Sequence, residues 1–179
     1  MLVVRLMQPP VKPKFADSES WQKADMLMQP ALIRTIDNIR KRLESETTWQ
    51  GEYREFPIWP EGVTEETQAK LALLQQELKT ATPEQVDAIE DALAQIPRSM
   101  PGYELVLTHP QQVDAPVVVN LWELCYRVCF LNPDAVIAGT EVVQVDEGLI
   151  EADTQEVDWP QIDKKSHAIV DAIFAELTK

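Results

Sequence analysis

Apolar and polar positions alternate along this chain in periods that change every ten to forty residues, and each change marks an element. Residues 2–7 form a short apolar run around Arg5, read as a strand. Pro9, Pro10 and Pro13 keep the next stretch extended, because each fixes φ and removes a backbone donor. Residues 1–15 are therefore expected to form an extended N-terminal arm whose strand pairs either with its own sheet or with that of a second copy. Ser18 or Ser20 can cap a helix beginning near Trp21. Pro30 interrupts that pattern, so the expectation is a short helix to Met28 and a second from Pro30, where proline suits a first turn. Leu32, Ile36, Ile39 and Leu43 then recur at i, i+4, i+7 and i+11, one helical stripe.

The clearest local pattern covers residues 64–97. Thr64 precedes Glu65 and Glu66, which suit a helix N-terminus, and Leu71, Leu74 and Leu78 form the stripe. Thr82, Pro83 and Gln85 then make a capping box with proline at the first helical position. Val86, Ile89, Leu93 and Ile96 come next, so the segment reads as an antiparallel helical hairpin. Residues 103–108 alternate as a strand, residues 109–114 connect, and residues 116–119 form a second strand antiparallel to the first. Asn120 caps the next helix, which carries Leu121, Trp122, Leu124, Cys125, Val128 and Cys129 around most of its circumference. A helix this apolar is buried on several sides. Residues 141–145 read as a strand, and the last helix opens at Trp159-Pro160, lined by Ile162, Ile169, Ile173 and Leu177.

These elements predict an α+β fold: a small antiparallel sheet packed against several helices, among them the hairpin and a buried central helix. At 179 residues the chain is expected to form a single domain, 1–179, with a core that needs neither disulfide nor metal. Only five glycines stand against thirteen prolines, which disfavours glycine-rich loops and flexible linkers.

Charge narrows the function classes. With 30 acids against 16 bases the net charge is −14, a field that opposes nucleic acid and anionic lipid and favours a protein partner with a basic patch. Residues 134–163 hold nine acids and no lysine or arginine, so residues 134–158 are read as a solvated, mobile acidic excursion. The first residues lack the long apolar stretch of a secretory signal, and no uncharged run is long enough for a bilayer. A soluble, cytoplasmic protein without membrane insertion is the expectation.

Residues 49–60 have no helical period and gather Trp49, Tyr53, Phe56, Ile58 and Trp59 between Gly51, Pro57 and Pro60. They read either as a strap covering the core or as an aromatic docking surface, with Trp49, Tyr53, Phe56 and Trp59 as anchors. Cys125 and Cys129, one turn apart inside an apolar helix, lack the repeated pairing of a zinc site and read as core. His167 lies four residues from both Asp163 and Asp171, an arrangement that an exposed helix face explains without chemistry. Phosphate-cradling, dinucleotide, nucleophile-elbow and paired-histidine zinc motifs are absent, so no catalytic residue, metal or cofactor is assigned. The leading reading is a non-enzymatic interaction or assembly protein. The alternative is a small-molecule or cofactor binder, or an enzyme, with a pocket beside the central helix formed by His109, Glu123, Tyr126 and Arg127.

Three stretches, 59–62 (WPEG), 101–105 (PGYEL) and 121–130 (LWELCYRVCF), together resemble a family of uncharacterised cyanobacterial proteins. The resemblance covers most of residues 49–131. It implies a photosynthetic cytoplasm and no catalytic residues.

Overall fold

A computed structural model of the chain describes residues 12–45 and 48–178; the expected N-terminal strand lies outside them. In chain order the elements are α1 (Ser18–Ser45), β1 (Gln50–Ile58), α2 (Glu65–Thr80), α3 (Pro83–Ala94), β2 (Met100–His109), β3 (Gln112–Asn120), α4 (Leu121–Cys129), α5 (Pro133–Ile137), a single 3₁₀ turn (Glu147–Leu149) and α6 (Trp159–Leu177). The fold is α+β. Its residues fall into two compact units, one running to Glu55 and resuming at Gly102, the other spanning Phe56–Pro101.

The larger unit is organised by α1, α4 and α6, which pack on one another. Helix α1 runs unbroken through Pro30, contrary to the two helices expected from that residue. An interior proline costs about 3 kcal/mol. Here Ala24, Leu27, Ala31, Thr35, Asn38 and Ile39 form one continuous buried face on both sides of it, and burying that face outweighs the lost hydrogen bond. Two core clusters lie along the three helices. One gathers Ala24, Leu27 and Ala31 with Cys125, Val128, Cys129, Phe130 and Ile162. The other gathers Ile39, Leu105, Leu107 and Val119 with Leu121, Leu124, Val170, Ile173 and Phe174. Helix α4 contributes to both.

The sheet has the order β1-β2-β3, so β2 is central. Strands β2 and β3 pair antiparallel, Leu105 opposite Val119 and Leu107 opposite Val117, with an irregularity before His109 meets Gln112. Their connection is shorter than the six residues expected: only Pro110 and Gln111 separate the strands, and His109 Nδ1 accepts the Gln111 N–H at 3.1 Å. Gly51 sets the approach of β1 to α1, because a Cβ there would stand 2.6 Å from Leu43 Cδ1 and 3.2 Å from Leu105 Cδ1.

Two expectations fail in the acidic stretch. Residues 141–145 form no strand. Asn132 holds them instead, its Nδ2 donating to the Val142 carbonyl and its Oδ1 accepting the Gln144 N–H, while Val145 makes an isolated bridge to Phe130. Residues 134–158 are not a solvated excursion either. Val136, Ile137, Val143 and Leu149 are buried, and acids on the outside are fastened, Asp146 to Lys165 at 2.7 Å and Glu147 to Lys23 at 2.5 Å. The density of acids masks the apolar residues spaced between them.

The smaller unit is built from α2 and α3, joined by Ala81 and Thr82 and packed on each other. Thr64 caps α2 by accepting the Thr67 N–H at 3.3 Å, and the Gln85 side chain closes back on the Thr82 N–H at 3.1 Å. Neither helix contains a buried residue, but Ile96, the last position of the second expected stripe, lies past the end of α3 and is buried.

A polar seam crosses the α1–α6 contact. Thr35 and Ser166 are fully buried and share a hydrogen bond of 3.2 Å. Asn38 donates to the Arg34 carbonyl at 2.9 Å and to Asp163 at 3.2 Å, and Arg34 pairs with Asp163 at 2.5 Å. Arg34 holds the Asp163 carboxyl below its ordinary value of 3.8. The pair therefore contributes stability above that pH and loses it as pH falls and the carboxylate protonates. Asn38→Ala leaves Asp163 and Ser166 short of a donor and is expected to cost about 2 kcal/mol in urea unfolding. Lys164→Ala, at an exposed position of the same helix, is expected to cost under about 0.5 kcal/mol. Equal costs would show that the seam is energetically idle.

Candidate functional site

Helix α4 begins where β3 ends, and Asn120 makes the junction: its Oδ1 accepts the N–H groups of Trp122 at 2.9 Å and Glu123 at 3.2 Å. From that start, positions 123 and 127 share one polar flank of the helix. Both line a cleft of about 520 Å³. Its floor is apolar, from Val119, Leu124, Ile137, Ile169 and Ile173, and its rim carries Glu123, Arg127, Asp134 and Glu176. Arg127 Nη1 sits 2.9 Å from Asp134 Oδ1, so the guanidinium on this largely buried helix is answered by the first turn of α5.

The other two residues expected beside the central helix are elsewhere. Tyr126 lies one turn from Glu123 but does not line the cleft; it is buried and stacked on Phe130 with ring centroids 5.3 Å apart. Burial raises its phenol well above the ordinary range. His109 lies at the β2–β3 turn, its ring edge-on to Trp49 at 5.1 Å. The set of four does not converge. What replaces it comes from α5 and α6: Asp134, Ile169, Ile173 and Glu176. The sequence shows Ile169 and Ile173 as a helical repeat, but there they read as core alone.

The aromatic strap divides in the same way. Trp49 is 8 % exposed and belongs to the core with Ile39, Leu105 and Phe174. Tyr53 is 45 % exposed on β1, an outer strand of the sheet. Phe56 and Trp59 are half-buried.

Cys125 and Cys129 are free and buried. Burial pushes the Cys129 thiol up to about 12 and raises Cys125 strongly as well. Thiols of this kind are poor nucleophiles and poor metal ligands at neutral pH. Among the described residues no group of three or more His, Cys, Asp or Glu is placed to hold a metal ion. No helix among them is long and apolar enough to cross a membrane. His167 Nε2 pairs with Asp171 at 3.1 Å and its Nδ1 lies 3.4 Å from Asn38 Oδ1, which occupies both ring nitrogens.

A second cleft, of about 580 Å³, lies wholly within the smaller unit, between α2, α3 and residues 96–99. Leu71, Leu78, Leu93 and Ile96 form its apolar surface, with Gln75, Glu90 and Arg98 at its margins. The sequence foretells both stripes but not that they leave a groove between them.

Compared with known proteins, the chain matches no family model, no curated protein and no solved structure.

Neither cysteine is expected to react with a thiol reagent at pH 8 until the protein unfolds. Stability should also fall as pH rises from about 9 towards 12. Over that window the unfolded thiols ionise while the folded ones stay protonated, at up to about 1.4 kcal/mol per pH unit for each thiol. Trp49→Ala is expected to cost about 3–5 kcal/mol in chemical denaturation, whereas Tyr53→Ala should stay within about 0.5 kcal/mol of the parent. Rapid labelling of the native protein, or equal costs for the two aromatics, would contradict these placements.

Proposed function

We propose that the protein is a non-enzymatic interaction or assembly protein, and that the α2–α3 hairpin receives a basic amphipathic helix from a protein partner. The observation that carries this reading is the open groove between α2 and α3, where Leu71, Leu78 and Leu93 are only half-buried above a buried Ile96. A groove with Leu71, Leu78, Leu93 and Ile96 along its length suits leucine-like anchors spaced at helical intervals. Charge selects among such helices. Residues 64–99 carry seven acids and three bases within a chain of net charge −14, so a helix bearing lysine and arginine around its apolar stripe is attracted and an acidic one repelled. Phe56 and Trp59, half-buried aromatic residues of the same unit, are further anchors of the kind found at interfaces. The cytoplasmic setting expected from the sequence suits such a partner.

The test is fluorescence anisotropy with a labelled helical peptide of leucine and lysine, compared with its leucine and glutamate counterpart. The expected result is saturable binding of the basic peptide only, weakening as salt rises from about 0.05 to 0.3 M, the range over which surface charges become screened. Leu71→Gln should lower that affinity about tenfold, about 1.4 kcal/mol, with helicity by circular dichroism unchanged. Equal binding of both peptides, or none of either, would overturn the proposal.

A further inference from the structure

The cleft beside α4 is independent of the hairpin groove: every residue lining it belongs to the larger unit. Three properties of the cleft select a ligand. Its volume, about 520 Å³, falls in the range of small-molecule sites. Its floor, set by Leu124, Ile137, Ile169 and Ile173, is aliphatic and accepts an apolar body without any polar group to satisfy. The carboxylates of Glu123, Asp134 and Glu176 share its lining with one guanidinium, Arg127, which already pairs with Asp134 at 2.9 Å.

The lining reaches Ala172, Ile173 and Glu176 near the C-terminal end of α6, and the last turn of that helix carries no basic residue. The final carbonyls of a helix gather roughly half a negative charge, which lysine or arginine commonly offsets. Arg42 of α1 supplies such a cation over the Phe174 ring, and the ionisable residue of α6 in the cleft lining is Glu176. An anionic ligand would meet Glu123 beside an Arg127–Asp134 pair whose charges offset each other. A cationic one would meet Glu123 while its apolar part covers the floor.

We propose that this cleft binds a small organic cation, a primary ammonium or guanidinium carried on an aliphatic or aromatic body. Glu123 receives the charged head and the floor between α4 and α6 receives the body. Arg127 and Asp134 lie on the α5 side, where their charges offset each other. The attraction is screened by salt, because the rim is open to water and the Asp134 side chain is 84 % exposed.

Three probes of matched size test this: 2-phenylethylamine, its neutral alcohol analogue 2-phenylethanol, and the anionic 3-phenylpropionate. Each is titrated into the full-length protein and read by amide chemical shifts. The amine is expected to shift residues 118–127 and 169–176 saturably. The alcohol should bind about tenfold more weakly and the acid should produce no saturable shift, since one charge reversal in a partly screened site is worth at least that factor. Glu123→Gln should weaken the amine several-fold with near-ultraviolet circular dichroism unchanged. Arg127→Met, which removes the positive lining group, should retain or tighten it. An amine that gives no saturable shift in these residues, an acid that binds as tightly as the amine, or a Glu123→Gln protein that binds like the parent would each overturn the proposal. None of these results bears on the peptide groove, which lies in the other unit.

Discussion

A helix of nine residues cannot stand by itself. Nucleation fixes several dihedral angles for each early hydrogen bond, and helices shorter than about a dozen residues are marginal in water. Helix α4 exists because its surroundings bury it: Leu121, Leu124, Cys125, Tyr126, Val128 and Cys129 are all inside. The dependence runs in both directions. The two core clusters of the larger unit share this helix, so removing it would open a cavity in each. Its cap, Asn120, is also the last residue of β3, which ties the sheet to the helical layer with no intervening loop. The same burial leaves Glu123 and Arg127 on a flank from which polar side chains reach solvent, and that flank is where the cleft lies.

The polar seam between α1 and α6 complements this apolar packing. Apolar faces tolerate sliding, whereas Thr35, Asn38, Asp163 and Ser166 meet their partners in only one register. Arg42 reinforces it near the end of α1, with its guanidinium 5.5 Å from the centre of the Phe174 ring. Lys23 and Lys165 act similarly at the surface, fastening Glu147 and Asp146 and with them the acidic stretch.

Elements with strong local codes are legible in the sequence alone. The caps at Thr64, Asn120 and the Thr82–Gln85 box, the two stripes of the hairpin and the burial of the cysteines all arise from short-range pattern. The features that the pattern misjudges depend on distant partners. Pro30 reads as a break until the faces of α4 and α6 that cover α1 are known. Residues 141–145 read as a strand because Val142, Val143 and Val145 favour one, but their backbone groups are shared among Lys14, Leu131, Asn132 and an isolated bridge to Phe130 rather than paired along a strand. The candidate sites show the same division. Glu123 and Arg127 can be paired from helical spacing alone, whereas Asp134 and Glu176 join them only through tertiary packing. Trp49 reads as a docking anchor from its aromatic neighbours, yet Ile39 and Leu105, both outside that stretch, enclose it.

The seam has a further consequence for how the chain acquires its structure. Thr35 meets Ser166 across 131 positions, and Arg34 meets Asp163 across 129. The hairpin of α2 and α3, by contrast, closes within some thirty residues. Local contacts form in microseconds, while contacts this far apart wait on the closure of long loops. During synthesis α1 leaves the ribosome well before α6, with its apolar face complete and the helix that covers much of it more than a hundred residues from being made. The hairpin can form while α1 waits, so an early-made helix is among the last to find its place. A chain in that state exposes Leu27, Ala31 and Ile39 together, and its yield in a cell depends on whatever shields that face until α6 arrives.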